Sequence, residues 1–151
     1  VFDFETCNLN LVSLDNLPWE LFLIECQGDK IINECDLYIK WDDLQISTAA
    51  ARVTRFDQGN YLRKAQDPKE CLEIFETLLY NKDYLILGQN ALGFDVYIHN
   101  IYRRKLGLRP DYSYIDRILD TKALAQAIKG PQAKFFEISS PAAKMRVCFR
   151  R

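Results

Sequence analysis

The first six residues, Val1-Phe2-Asp3-Phe4-Glu5-Thr6, alternate apolar and polar side chains. A period of two belongs to a strand, whose successive side chains point to opposite faces. Phe2 and Phe4 therefore share one face and Asp3 and Glu5 the other, with Thr6 directly following. Residues 19–26 and 30–39 also read as strands, and they flank Gln27-Gly28-Asp29, a short turn rich in turn-formers. This pattern predicts a hairpin after the first strand, hence a three-stranded antiparallel start.

Further along, the period becomes helical. Asp67 can cap a helix and Pro68 suits its first turn, while Cys71, Leu72, Phe75, Leu78 and Leu79 recur at helical spacing. A strand over 84–88 is followed by a helix over 94–106. Gly107 stops that helix, and Arg103, Arg104 and Lys105 in its last turn complement the helix dipole. A short strand over 114–119 and a helix over 121–128 complete the pattern. Strands first and then strands alternating with helices make a mixed α/β sheet the expected fold class. After Gly130 the periodicity lapses into Gly-Pro-Gln, Ser-Ser-Pro and the basic run Lys144 to Arg151. The expected division is one domain over 1–130 and an irregular basic tail, or a truncated continuation, over 131–151. The opening at Val1, inside a strand pattern and without an initiator methionine, reads as part of a longer chain.

With 151 residues, 48% of them hydrophobic, the chain has material for one buried core, so a folded enzyme domain is possible. A net charge of -1 announces no nucleic-acid binder, although an enzyme that grips its substrate through metal ions needs only a local basic surface. Five scattered cysteines without a CxxC pair, and a single histidine, argue against both a zinc site and a disulfide framework. Such thiols fit a reducing, cytoplasmic compartment. No apolar run approaches the ~18 residues of a membrane span, so no membrane role is expected.

An Asp-x-Glu pair on a strand can simply face solvent. It is also a natural seat for Mg2+ or Mn2+, hard ions that prefer carboxylate oxygens and leave positions for water and phosphate. A second element accompanies it: Gly88-Gln89-Asn90-Ala91-Leu92-Gly93-Phe94-Asp95 sets a third acid just past a strand, at a helix start. Together, Asp3-Phe4-Glu5-Thr6 and residues 89–95 resemble the first and second exonuclease motifs of the DEDD superfamily, the DnaQ-like 3'-5' exonucleases with an RNase H-like fold. Asp120-Thr121 before a Leu-Ala helix is similar to a later segment of that family, so the resemblance covers roughly residues 1–128. It implies an RNase H-like mixed sheet, C-terminally incomplete. It further implies metal ligands at Asp3, Glu5 and Asp95, Thr6 near the terminal nucleotide, and Asn90 supporting the second motif. Two divalent cations, Mg2+ or Mn2+, would be held by these carboxylates. The implied partners are single-stranded 3' ends of nucleic acid, DNA in preference to RNA, and a replicative or proofreading DNA polymerase in the cytoplasm of a bacterial or phage-infected cell. Phe4 and Phe94 read first as core residues, with stacking on an unpaired base as the functional alternative.

The family's third motif, a fourth aspartate preceded by a histidine or tyrosine base, has no clear counterpart. His99 lies one turn beyond Asp95 and reads as a surface or packed helix residue. Tyr112-Ser-Tyr-Ile-Asp116 fits the tyrosine form but falls before Asp120, out of order. Truncation and natural inactivity both remain open, and with them a rival function: a non-catalytic RNase H-like binding or structural module.

Overall fold

The computed structural model describes residues 1–129, and the expected tail over 131–151 lies outside the described residues. Strand β1 (Phe2–Thr6) pairs antiparallel with β2 (Pro18–Gln27), which pairs antiparallel with β3 (Lys30–Tyr38). The β2–β3 turn is tight: Gln27 faces Lys30 across Gly28 and Asp29, and Gly28 takes a φ of 62°, which favours glycine. This is the predicted antiparallel start. On the other flank of β1 runs the short β4 (Ile86–Gly88), parallel to β5 (Ile118–Asp120). Gly88 permits that close approach, because a Cβ there would sit 3.5 Å from the Phe2 carbonyl and 2.7 Å from the Ala91 Cβ. The strand bearing Asp3 and Glu5 is the end strand of the β1-β2-β3 sheet and lies next to the separate β4-β5 pair.

Helices cover the inner face of the sheet. Helix α3 (Pro68–Leu79) is capped by Asp67, whose carboxylate accepts from the Lys69 and Glu70 amides as the sequence predicts. Its Phe75 ring lies 5.0 Å from Phe2 and 5.3 Å from Phe4. Leu21, Leu23 and Leu37 from the sheet and Ile98, Ile101 and Tyr102 from α4 (Asp95–Lys105) complete the core. Each such side chain removed from water stabilises the fold by about 1.5–3 kcal/mol. Gly107, at φ 76°, follows the end of α4, and α5 (Thr121–Lys129) closes the described chain.

Two features depart from the sequence reading. The predicted strand over 114–119 is only Ile118–Asp120. Tyr114 instead turns inward so that its hydroxyl meets His99 Nδ1 at 2.7 Å, and a single 3-10 turn follows it. Two short helices, α1 (Thr48–Thr54) and α2 (Gln58–Lys64), occupy a stretch for which the periodicity gave no signal.

Candidate active site

A cleft of about 520 Å³ opens beyond the C-terminal end of β4. That volume falls within the range of ordinary small-ligand pockets. Its floor is β1, with Asp3, Glu5 and Thr6; one wall is the 89–95 turn, with Asn90, Phe94 and Asp95; the other is α1, with Ala49, Ala50 and Val53. All five residues singled out from the sequence line this one cleft, although 89 positions separate Thr6 from Asp95. Helix α1 was missed, and the Ser47 N-cap, which accepts from the Ala50 amide, was the signal available for it.

Strand pleating sets Asp3 and Glu5, half-buried, on the face opposite Phe2 and Phe4. Asp95 reaches the same strand from the first turn of α4: its Oδ1 accepts the Phe4 N–H at 2.9 Å, and the side chain is almost wholly buried. Burial pushes its carboxyl up to about 7, and the nearby charges of Glu5 and Asp120 push the same way against the lowering effect of the backbone hydrogen bonds. Burial raises Glu5 as well. Its cross-strand neighbour Glu20 is driven to about 7 by burial, by Asp36 and by Glu5 itself. Asp95 and Glu5 in the cleft thus resist ionisation in the absence of a counter-charge, which a divalent cation would supply. As they stand, no three His, Cys, Asp or Glu side chains among the described residues are gathered closely enough to hold an ion. The donor chemistry fits Mg2+ or Mn2+, since hard carboxylate oxygens from two elements edge one space, while the Asp95 oxygen facing Phe4 is held by an amide.

Thr6 is buried, and its hydroxyl donates to the Asn8 carbonyl at 2.6 Å. Asn90 sits in the left-handed region at φ 61°, and its side-chain oxygen accepts from Lys122 Nζ at 2.9 Å. The Phe4 ring is a core residue, whereas Phe94 is partly exposed on the cleft wall. The candidates for a third motif lie elsewhere. His99 is fully buried, with Nε2 2.9 Å from Glu76 and Nδ1 against Tyr114. Asp116 precedes β5, whose parallel pairing sets Ile118 beside Ile86 and Asp120 beside Gly88. Asp116 and Tyr112 thus fall toward the opposite end of the sheet, with Asp116 roughly 10 Å back along the chain from Asp120. Asp120 itself is consumed by backbone donors, accepting from the Asn90, Leu92 and Lys122 amides. The basic run at the far end of α4 stands about 15 Å along the helix from Asp95. Of that run, Arg103 pairs with Glu76 and Lys105 with Asp43, so it reads as a helix end rather than a phosphate grip.

No protein-family model matches the chain, and no curated protein matches it in sequence. Among solved structures it is similar to exonuclease I of E. coli. The metal-free form of that enzyme's complex with single-stranded DNA aligns with a TM-score of 0.73 at 16% identity, covering 88% of this chain and 30% of that one. The zinc-bound form of the complex aligns at 0.74 and 16%, covering 92% and 32%. A complex with a dA16 oligonucleotide gives 0.73 and 16%, covering 88% and 30%. The chain spans about a third of the length of these structures. Identities this low speak for the fold alone, and the described residues share the RNase H-like mixed α/β fold of an exonuclease.

Proposed function

We propose that this chain carries a metal-dependent exonuclease site that hydrolyses phosphodiester bonds from the 3' end of single-stranded nucleic acid, DNA in preference to RNA. The observation that carries the proposal is the convergence of Asp3, Glu5 and Asp95 on one cleft from opposite parts of the sequence. That the similar structures are of exonuclease I, several with single-stranded DNA, supports it. When bound, divalent cations would activate water and stabilise the leaving oxygen of an in-line displacement. The chain's own part is to hold them and to orient the strand. Asp3 and Glu5 present oxygens from β1, and Asp95 presents its own from a helix start tied to that strand by the Phe4 amide. Ala49, Ala50 and Val53 on one side and Phe94 on another give the cleft apolar surface that suits the flat face of a terminal base. Association with a DNA polymerase in a reducing cytoplasm belongs to the same proposal; Cys7, Cys26, Cys35 and Cys71 are free thiols.

A second reading has an observation of its own. Among the described residues the cleft has no fourth carboxylate and no histidine or tyrosine base, which favours a non-catalytic RNase H-like module. Incubating the 151-residue protein with a 5'-labelled single-stranded oligodeoxynucleotide in Mn2+, beside Asp3→Ala, separates the two. Asp3-dependent shortening from the 3' end supports the nuclease. Binding of the oligonucleotide without any cleavage supports the module.

A further inference from the structure

Asp120 is almost fully buried at the end of β5, and its carboxylate joins two segments that are distant in sequence. Oδ1 accepts the Asn90 amide at 2.9 Å and Oδ2 the Leu92 amide at 3.0 Å, while Oδ1 also accepts the Lys122 amide at the start of α5. Lys122 adds a contact from its other end, donating from Nζ to Asn90 Oδ1 at 2.9 Å. The turn so gripped has little room to relax. Asn90 is left-handed, and a Cβ on Gly93 would lie 2.6 Å from Asn90 Oδ1. Three residues after Leu92 the same backbone delivers Asp95 to the Phe4 amide.

We propose that Asp120, assisted by Lys122, is a positioning residue that locks the 90–92 turn and thereby holds the Asp95 carboxylate against β1, beside Asp3 and Glu5. The role rests on the cation site proposed above. A buried carboxylate that accepts backbone amides from two separate segments acts as a strut between them, since its removal leaves these part-buried N–H groups without that acceptor. Replacing one oxygen by NH2 in Asp120→Asn turns an acceptor toward a donor, so the turn must shift. Asp95 then loses its register on Phe4.

Two measurements on Asp120→Asn and on the milder Lys122→Met test this, with Asp3→Asn as reference. The first is Mn2+ affinity by electron paramagnetic resonance at a temperature where the proteins are folded. The second, without metal, is hydrogen exchange at the Phe4 amide, with the Ile39 amide, which donates to the Trp19 carbonyl, as a control in the same sheet. Asp120→Asn is expected to weaken Mn2+ by about 10-fold or more, as removal of an outer-shell partner typically does. It should also speed exchange at Phe4 while leaving Ile39 unchanged, with Lys122→Met shifted less in both. Unchanged Mn2+ affinity and unchanged Phe4 exchange overturn the proposal, as does equal acceleration at Phe4 and Ile39, which would mark a general loss of stability. If Asp120→Asn fails to fold, Lys122→Met decides by the same criteria. If even the wild type ignores Mn2+, the proposed function falls, and Phe4 exchange alone decides whether Asp120 positions Asp95.

Discussion

Replacing Asp95 by asparagine should stabilise the metal-free protein at neutral to basic pH, although it removes a residue proposed to be functional. The side chain is buried, and its carboxyl is raised from 3.8 to about 7. Each unit is worth about 1.4 kcal/mol, so keeping Asp95 ionised in the fold costs about 4 kcal/mol at pH 8. Asparagine carries no charge, and its carbonyl oxygen can still accept the Phe4 amide. The sign follows from proton counts. Between 3.8 and about 7 the folded wild type holds a proton that the unfolded chain has released, so wild-type stability falls as pH rises through this window. The advantage of Asp95→Asn should therefore be at most about 4 kcal/mol at pH 8, shrink to about 2 kcal/mol near pH 5, and disappear below the unfolded value. Urea denaturation followed by circular dichroism at the two pH values reads it directly. Saturating Mg2+ should narrow the gap at pH 8, because only the wild type gains the binding free energy of the ion. An Asp95→Asn protein that is less stable than wild type at pH 8 would refute the electrostatic account of this site.

Two further changes probe the frame around the cleft. His99 is held below its ordinary 6.5 by burial, against the raising effect of Glu76, so its stabilising share is complete above 6.5 and is lost as pH falls through the folded value. The stability difference between wild type and His99→Phe should accordingly shrink as pH drops below about 6.5, with the Asp95 titration common to both proteins. A difference that stays constant or grows on acidification would contradict this. Gly88→Ala places a Cβ 2.7 Å from that of Ala91 and should cost about 1–3 kcal/mol in urea denaturation, and an unchanged midpoint would show that the β4–turn packing is looser than described.

The first strand was legible because its two faces meet different surroundings: Phe2 and Phe4 pack on Phe75 while Asp3 and Glu5 do not, and that contrast is written as alternation. Helix α3 was legible through its Asp67-Pro68 cap and four buried apolar residues. Helices α1 and α2 were not, because α1 buries none of its side chains and α2 only Tyr61, so neither leaves an apolar stripe to read. Yet α1 forms the apolar wall of the cleft. Tyr114 misled for a different reason: an aromatic in a β-like run is drawn inward by a hydrogen bond to His99, a tertiary contact that no local pattern announces. The cleft carboxylates were found through their motifs, whereas the grip of Asp120 on amides about 30 positions away in the chain could emerge only from coordinates.

The central claim is that Asp3, Glu5 and Asp95 together form a divalent-cation site. Titrating Mn2+ into the wild type, Asp3→Asn, Glu5→Gln and Asp95→Asn, with free Mn2+ followed by electron paramagnetic resonance, tests it most directly. The account predicts saturable binding to the wild type, weakened about 10-fold or more in each of the three variants, with Mg2+ in excess displacing the Mn2+. Equal binding by all four folded proteins, or none by the wild type, would contradict it.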